Sequence, residues 1–242
     1  MRGDPDCADD ALGMNWAALV ARLPPSGYRR FRNAFDRVAA ALLLLLVSPL
    51  IFAIALAILM DSSGPIFFLQ YRAGRFAKPF KIIKFRTMST STPESSLKVA
   101  PDNPCITRVG RFLRNSGIDE LPNLWNVVRG DMALIGPRPE QVALLDYYRQ
   151  WQHLRHLVKP GITGWWQIHH RDSEPMHLNV EKDIYYVCKQ SPALDARIVL
   201  GTLWVVVHPL FSRPLLAARR QAGSTLSPSE LTPTTDPHTK VT

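Results

Sequence analysis

AALLLLLVSPLIFAIALAILM, residues 40–60, carries no charged side chain, and Ser48-Pro49 sits near its middle. The fold turns on whether this run crosses a bilayer or enters and turns back. The uncharged stretch reaches from Val38 to Met60; as one straight helix it would be roughly 35 Å long, enough to span the hydrocarbon. Arg29, Arg30, Arg32 and Arg37 precede it and Asp61 follows. A spanning helix would therefore put the N-terminus in the cytoplasm and everything after residue 61 outside. Pro49 lacks an N–H, frees the carbonyl of Leu45 and bends a helix. The Ser48 hydroxyl can reach a nearby carbonyl, making a break tolerable in lipid. Each arm would then be about 15 Å, half a bilayer. The run taken alone favours spanning; the rest of the chain reverses that.

The 242 residues allow one large domain or two small ones, and 29 Lys+Arg against 20 Asp+Glu leave a net charge of +9. Such an excess points to an anionic partner: nucleic acid, lipid headgroups or phosphorylated substrates. No zinc-finger spacing, basic-zipper heptad or RNA-recognition aromatic motif is present, so no nucleic acid partner is expected. Cys7, Cys105 and Cys188 are few and far apart, which argues against a disulfide framework or a zinc site and fits a reducing compartment. The neighbouring pair His169-His170 makes a poor metal site. The apolar run begins too deep for a secretory signal, and no solenoid repeat is evident.

Residues 1–28 read as a lead-in with a short helix around Ala11–Leu23, and 29–61 as the membrane segment. DSSGP (61–65) breaks the helix, and IFFLQ and FKIIKF read as two strands of a small hairpin. Residues 89–105 are rich in Ser, Thr and Pro, hence a loop expected to be mobile. ITRVGRFLRN predicts a helix; DELPNLWNVVRG predicts another, with its proline in the first turn, where a missing N–H costs little. GPRP (136–139) is a rigid turn. Residues 140–158 predict one long amphipathic helix, with Leu144, Leu145, Tyr148, Trp151 and Leu154 on or near one face. KPGITGWWQ is a turn carrying two indoles. The apolar run 199–211 is too short to span and contains His208 and Pro209. Residues 62–211 form the expected cytoplasmic catalytic domain, and 212–242, rich in Ser, Thr, Pro and Arg, an expected disordered tail.

Chemistry concentrates at Asp119-Glu120 in RNSGIDELPNLWN. Successive helical residues point about 100° apart, so two separate jobs are more natural than a shared proton: one nucleophile, one metal ligand. A helix N-terminus would favour ionised carboxylates and bound phosphate there, and an ionised aspartate can attack phosphorus. Arg108, Arg111 and Arg114 are expected on one face of the preceding helix. Arg138, fixed between two prolines, presents a preorganised guanidinium for phosphate. Arg171 follows the indole-bearing turn and could close on the same anion, and Lys81, Lys84 and Arg86 are expected to share a strand face.

Together FDRVAAALLLLLVSPLIF, DSSGPIFFLQYRAG, FKIIKFRTM, ITRVGRFLRNSGIDELPNLWNVVRGDMALIGPRPE and RHLVKPGITGWWQ resemble the bacterial sugar transferase family, the monotopic phosphoglycosyl transferases, in its small minimal form. The segments run in the family's order across about residues 29–211. The resemblance implies a fold that is α+β and mostly helical, with an N-terminal re-entrant helix–break–helix at Ser48-Pro49, a small β-hairpin and amphipathic interfacial helices. It implies a protein held in the cytoplasmic face of the bacterial inner membrane. Asp119 would attack the β-phosphate of a UDP-sugar, expel UMP and hold the phosphosugar; undecaprenyl phosphate would then take it, starting exopolysaccharide, capsule or O-antigen assembly. Glu120 would help bind Mg²⁺. Arg114, Arg138 and Arg171 would bind substrate phosphates, with Lys84 and Arg86 as further substrate-binding residues. Expected partners are the UDP-sugar, undecaprenyl phosphate, membrane lipid and a second copy as a homodimer. Trp151, Trp165, Trp166 and Trp204 are expected at the interface.

Three departures from the family pattern stand out: Gly117-Ile118 for Ser-Leu, Asn123 for Gln, and His170-Arg171 for Gly-Arg. They bear on sugar preference rather than reaction class. Two other functions are distinguishable: a non-catalytic basic protein anchored on anionic lipid, which releases no UMP, and a plain glycosyl transferase, which releases UDP.

Overall fold

The computed structural model describes residues 23–90, 103–170 and 180–204; the tail 212–242, Arg171 and most of the lead-in lie outside them. Helix α1 (Ser26–Asp61) has 36 residues and starts three positions before Arg29, directly after Pro25. Of the expected helix–break–helix, the long apolar helix is present, and the chain remains helical through Ser48 and Pro49 rather than dividing into two arms. The Ser48 hydroxyl donates to the Leu45 carbonyl at 2.8 Å, the acceptor that Pro49 leaves without a partner. With the lost bond replaced inside the helix, no orphaned group forces the chain open.

α1 has two unlike faces. Ala40, Leu44, Val47, Ile51, Ile54 and Ile58 recur at helical spacing and pack against the remainder of the chain. Leu124, Val127 and Met132 receive the first part of this stripe, and Phe85 and Leu113 the last. Near the start, Arg32 pairs with Asp195 at 3.1 Å and donates to the Ile135 carbonyl at 2.6 Å. At the end, Asp61 accepts from the Val109 N–H at 3.0 Å. The opposite face, including Phe31, Phe35, Leu42, Leu46, Phe52 and Leu56, is exposed along the whole length.

Strands β1 (Phe67–Ala73) and β2 (Pro79–Phe85) form the expected antiparallel hairpin, Phe67 opposite Phe85 and Ala73 opposite Pro79. Helix α2 (Arg108–Ser116) is capped by the Thr107 hydroxyl, which accepts from the Gly110 N–H at 2.9 Å. Helix α3 (Asn123–Arg129) is stitched to β2 by one side chain: buried Asn126 accepts from the Ile83 N–H at 3.2 Å and donates to the Lys81 carbonyl at 2.7 Å. Strands β3 (Ala133–Ile135) and β4 (Gly161–Thr163) form a short parallel pair, too brief for a period-two signal in the sequence. Helices α4 (Trp165–His170), α5 (Val180–Lys189) and α6 (192–204) follow.

Residues 140–158, expected as one amphipathic helix, form two 3-10 segments, Val142–Tyr147 and Gln150–Leu157. Tyr148 between them is extended, and its hydroxyl is held by Glu140 and Arg155 rather than turned to a helical face. Three of the four indoles are corrected: Trp166 is buried, and Trp151 and Trp165 are half-buried against core clusters, while Trp204 is exposed as expected; Trp125 is exposed too. Cys188 is disulfide-bonded, while Cys105 is free. Spacing along the chain had argued against pairing, but pairing depends on Cα proximity in the fold.

Candidate active site

Four pieces of chain converge beside β2. Lys84 comes from the strand, Asp119 and Glu120 from the 3-10 turn Ile118–Glu120, Arg138 from the GPRP turn and Arg114 from the end of α2. Gly117 makes the junction: its φ of 73° lies in the left-handed region, which ends α2 and swings the next turn back toward β2. The glycine that departs from the family's serine thus occupies a position glycine favours.

Glu120 is the anchored acid. Its Oε1 accepts from Lys84 Nζ and from Arg138 Nη2, each at 2.7 Å, and Oε2 accepts from Arg138 Nη1 at 3.4 Å. Burial works to raise its pKa, but Arg138 and Lys84 together outweigh it and hold the carboxyl well below the usual range. Asp119 differs. Burial, with Glu120 adding, raises its pKa against the opposing pull of Lys84, Arg138 and Arg114. Among the described residues no hydrogen bond reaches its carboxylate, so its oxygens are free to act on a ligand.

The cations are prepared for an anion. Burial first, then Arg138, lowers the pKa of Lys84 against the pull of Glu120. Arg72, which sequence reasoning missed, lines the same cleft and is lowered to about 10, by burial and then by Arg138. Its Nε is buried without a partner, while Nη2 donates to Gln70 at 2.6 Å. Its signal was visible as Arg72 in FLQYRAG, two residues ahead of a glycine, but nothing in the spacing tied it to Asp119. Arg114 donates from Nε to the Thr87 hydroxyl at 2.8 Å, which holds it near Asp119. The cleft is lined by Arg72, Lys84, Glu120, Asn123, Arg138 and Pro139, among others. Arg72, Lys84 and Arg138 line it with Glu120, and Arg114 and Asp119 stand beside it, an excess of cations suited to an anion.

The GPRP turn is pinned from several sides. Gly161 N–H donates to the Pro137 carbonyl at 2.9 Å, Arg155 Nη2 to the Arg138 carbonyl at 2.7 Å, and Ala73 N–H to the Glu140 carbonyl at 2.8 Å. Arg155 is in turn 2.6 Å from Asp183 and 3.6 Å from Glu140, all three buried. A ligand therefore meets an Arg138 whose backbone is already fixed.

Several sequence-predicted residues land elsewhere. Arg86 is 6 % exposed and donates to the Ser63 and Ser62 carbonyls at 2.6 and 2.7 Å and to the Ser62 hydroxyl at 2.9 Å. It caps the C-terminal end of α1, where a cation meets the negative end of the dipole, and does not face the cleft. Lys81 lies on the other side of the hairpin, 5.2 Å from the Tyr71 ring centre, as an odd spacing from Lys84 requires. Arg108 and Arg111 are exposed; a six-residue step leaves Arg114 about 120° from Arg108 around the helix. Asp119 and Glu120 occupy a 3-10 turn ahead of α3 rather than the first turn of an α-helix. Asn123 is buried in the cleft wall with Oδ1 unpaired, an acceptor available to a ligand hydroxyl.

For a divalent cation the fit is narrow. Glu120 already accepts three hydrogen bonds of about four that a carboxylate can take, leaving one Oε2 position beside free Asp119. Among the described residues no group of three or more acidic, histidine or cysteine ligands occurs. One or two carboxylates suffice for magnesium when substrate phosphates supply the rest.

A profile of the family described as bacterial sugar transferase matches residues 27–209. The chain is 38% identical over 196 residues to UDP-N-acetylgalactosamine-undecaprenyl-phosphate N-acetylgalactosaminephosphotransferase of Aeromonas hydrophila, covering 78% of this chain and 46% of that protein. It is 44% identical over 191 residues to UDP-glucose:undecaprenyl-phosphate glucose-1-phosphate transferase of Escherichia coli K12, covering 75% of this chain and 41% of that protein. It thus spans less than half the length of either. The sugar transferase EpsL of Bacillus subtilis is 41% identical over 172 residues, covering 71% of this chain and 85% of that one.

Proposed function

The chain belongs to the bacterial sugar transferase family, and we propose that it moves a sugar-1-phosphate from a UDP-sugar to undecaprenyl phosphate, releasing UMP. One observation carries the reading: two adjacent acids at one basic cleft, Glu120 lining it and locked by Lys84 and Arg138, and Asp119 beside it with no hydrogen-bond partner among the described residues.

Asp119 is the nucleophile. Its ionised Oδ forms a bond to the β-phosphorus; the bond from that phosphorus to the bridging oxygen breaks, and the oxygen leaves with UMP. An oxygen of undecaprenyl phosphate then bonds to the same phosphorus, and the bond to Asp119 breaks, regenerating the carboxylate. Lys84, Arg138, Arg72 and Arg114 surround the acids with positive charge that would stabilise the crowded phosphoryl oxygens. Magnesium would be held by Glu120 and the donor phosphates; when bound it neutralises charge on the pyrophosphate. Because the aspartyl step separates the two substrates in time, a water-soluble donor and a lipid acceptor can use one cleft in turn.

The two faces of α1 support placement in a single leaflet. Its inner stripe packs, from Arg32 to Asp61, against the body that holds the acids. A spanning α1 would draw that charged body into hydrocarbon. With the exposed apolar face in lipid, the cleft stays at headgroup height on the cytoplasmic side, where the nucleotide sugar is made. Re-entry rests on the Ser48–Pro49 pair, which lets the helix deform without an unsatisfied carbonyl.

The test is incubation of the purified full chain with a panel of UDP-sugars without acceptor. The correct donor should give one equivalent of UMP and a phosphosugar mass on the peptide containing Asp119. Asp119→Asn should give neither while retaining the wild-type unfolding temperature. Release of UDP, or full turnover by Asp119→Asn, would overturn the reaction.

A further inference from the structure

A second basic cleft lies apart from the catalytic one and shares no lining residue with it. Its walls come from Arg29, Arg32 and Asn33 of α1, Arg75 of the hairpin connection and Leu157–Lys159 ahead of β4, with Ala133 of β3 and Gln190 completing them. Arg32 is committed to Asp195, whose other carboxylate oxygen accepts from the Tyr186 hydroxyl. Arg29, Arg75 and Lys159 are not: among the described residues, none of the three pairs with a carboxylate. Arg75 is held by one neutral contact, Nε donating to the Leu157 carbonyl at 3.1 Å, which leaves its terminal nitrogens available. Burial and then Arg29 lower the pKa of Arg75; burial, Arg37 and Arg75 lower that of Lys159, with Asp36 and Asp131 too weak to reverse it. Like charges are thus gathered around a cavity whose lining contains no acid, with Asp36, Asp131 and Asp195 offsetting them only in part. Such a cluster persists at a cost unless an anion fills it.

The cleft's neighbours indicate which anion. Phe31 and Phe35 are exposed at 71% and 59% on the turns of α1 that also carry Arg29 and Arg32. Phe76 is exposed at 57% next to Arg75, whose guanidinium sits 4.5 Å from the ring centre, and its φ of 57° aims a bulky side chain from a strained turn. Exposed aromatics bordering unpaired cations form the pattern of a surface at the lipid–water boundary, apolar on one side and charged at phosphate height.

We propose that this cleft is a headgroup site for an anionic phospholipid of the bilayer, with Arg29, Arg75 and Lys159 holding its phosphate. The proposal rests on the membrane placement of α1 argued above. A lipid fixed there would pin the N-terminal half of α1 and the hairpin connection to the leaflet, setting the height of the catalytic cleft.

The full chain is reconstituted in nanodiscs of phosphatidylcholine, alone or with phosphatidylglycerol, released, and its retained lipids are counted by native mass spectrometry. Wild type should keep phosphatidylglycerol in preference to phosphatidylcholine. Arg75→Gln with Lys159→Gln should lose that preference by about fivefold for each cation removed, while Glu120→Gln in the catalytic cleft keeps it. Unaltered UMP release in detergent by the double variant shows that it is folded. Inorganic phosphate added in detergent separates the sources: the headgroup assignment expects no binding that Arg75→Gln abolishes, and tight binding of the free ion there overturns it. Equal retention of both lipids by wild type, or unchanged preference in the double variant, also overturns it. A chain that extracts as a soluble protein with no lipid would instead refute the membrane placement.

Discussion

Replacing Arg155 with Leu removes the hub of a buried charge network. Arg155 is 1 % exposed, and it sits 2.6 Å from Asp183 and 3.6 Å from Glu140, themselves 0 % and 4 % exposed. It also donates to the Tyr148 hydroxyl and the Arg138 carbonyl, each at 2.7 Å. Leucine fills much of the volume but leaves two buried carboxylates without a cation, which costs about 3–5 kcal/mol. For a domain of this size that corresponds to a fall of roughly 6–20 °C in unfolding temperature. The fall should depend on pH in a stated direction. Burial already raises the Asp183 pKa to about 6 against the pull of Arg155, so losing Arg155 raises it further. A carboxyl whose folded pKa exceeds its unfolded value contributes stability that is present at low pH and lost as pH rises through the folded value. Relative to wild type, the variant should be only mildly weakened near pH 5 and most weakened near pH 8, and Asp183→Asn added to it should recover most of the loss. Tryptophan fluorescence during heating in detergent measures this. An unfolding temperature within about 3 °C of wild type at both pH values would refute the reasoning, as would an equal fall at both. Any folded variant should also turn over more slowly, on the order of 100-fold, because the Arg138 backbone loses its clamp.

Ser48→Ala should destabilise by about 1 kcal/mol by orphaning the Leu45 carbonyl; in Pro49→Ala, which restores a backbone donor, the same change should cost almost nothing, as thermal unfolding of the four proteins in liposomes would show. With the Asp119 pKa raised, the proposed attack by its ionised form makes UMP release fall on the acid side with a midpoint above that of an ordinary aspartate; a pH–rate profile with a midpoint at or below the ordinary value would contradict the nucleophile assignment. Asn126→Leu strands the Ile83 N–H and Lys81 carbonyl, so urea unfolding should show a loss of roughly 2–5 kcal/mol and kcat should drop as Lys84 shifts with β2.

Much of this was legible in the chain because it is written in local rules. The hairpin follows from two β-rich runs around a short polar connection, and the Ser48–Leu45 bond from proline's missing donor. Asp119, Glu120, Lys84, Arg114 and Arg138 were named from charge and turn chemistry, and the fold brings all five to one place. What was not legible depends on long-range partners. Arg86 looks like Lys84 in sequence; only the position of the α1 C-terminus makes one a cap and the other a site residue. Arg72 faces Arg138 because its strand bridges to Gln141, a contact without a local signal. The 140–158 segment has helical periodicity, but Tyr148 gains two buried hydrogen bonds by leaving that geometry, and tertiary bonding outweighs propensity.

The pair of acids acquires two chemical characters from one turn of backbone. In a 3-10 turn successive side chains point about 120° apart, so cations that lock Glu120 cannot equally serve Asp119. Lys84 and Arg138 spend their short contacts on Glu120 and reach Asp119 only as a more distant field. Glu120 is thereby fixed as a permanent anion that holds two cations in place before any substrate arrives. Asp119 retains a less stabilised and more basic carboxylate, and basicity is what a carboxylate nucleophile needs toward phosphorus. An incoming phosphate finds cations already oriented, so little ordering remains to be done in the transition state. Exchanging the two positions would place the locked carboxylate at the proposed nucleophile's position and leave Lys84 and Arg138 unanchored. The order Asp then Glu is thus a consequence of where β2 and the GPRP turn deliver their charges.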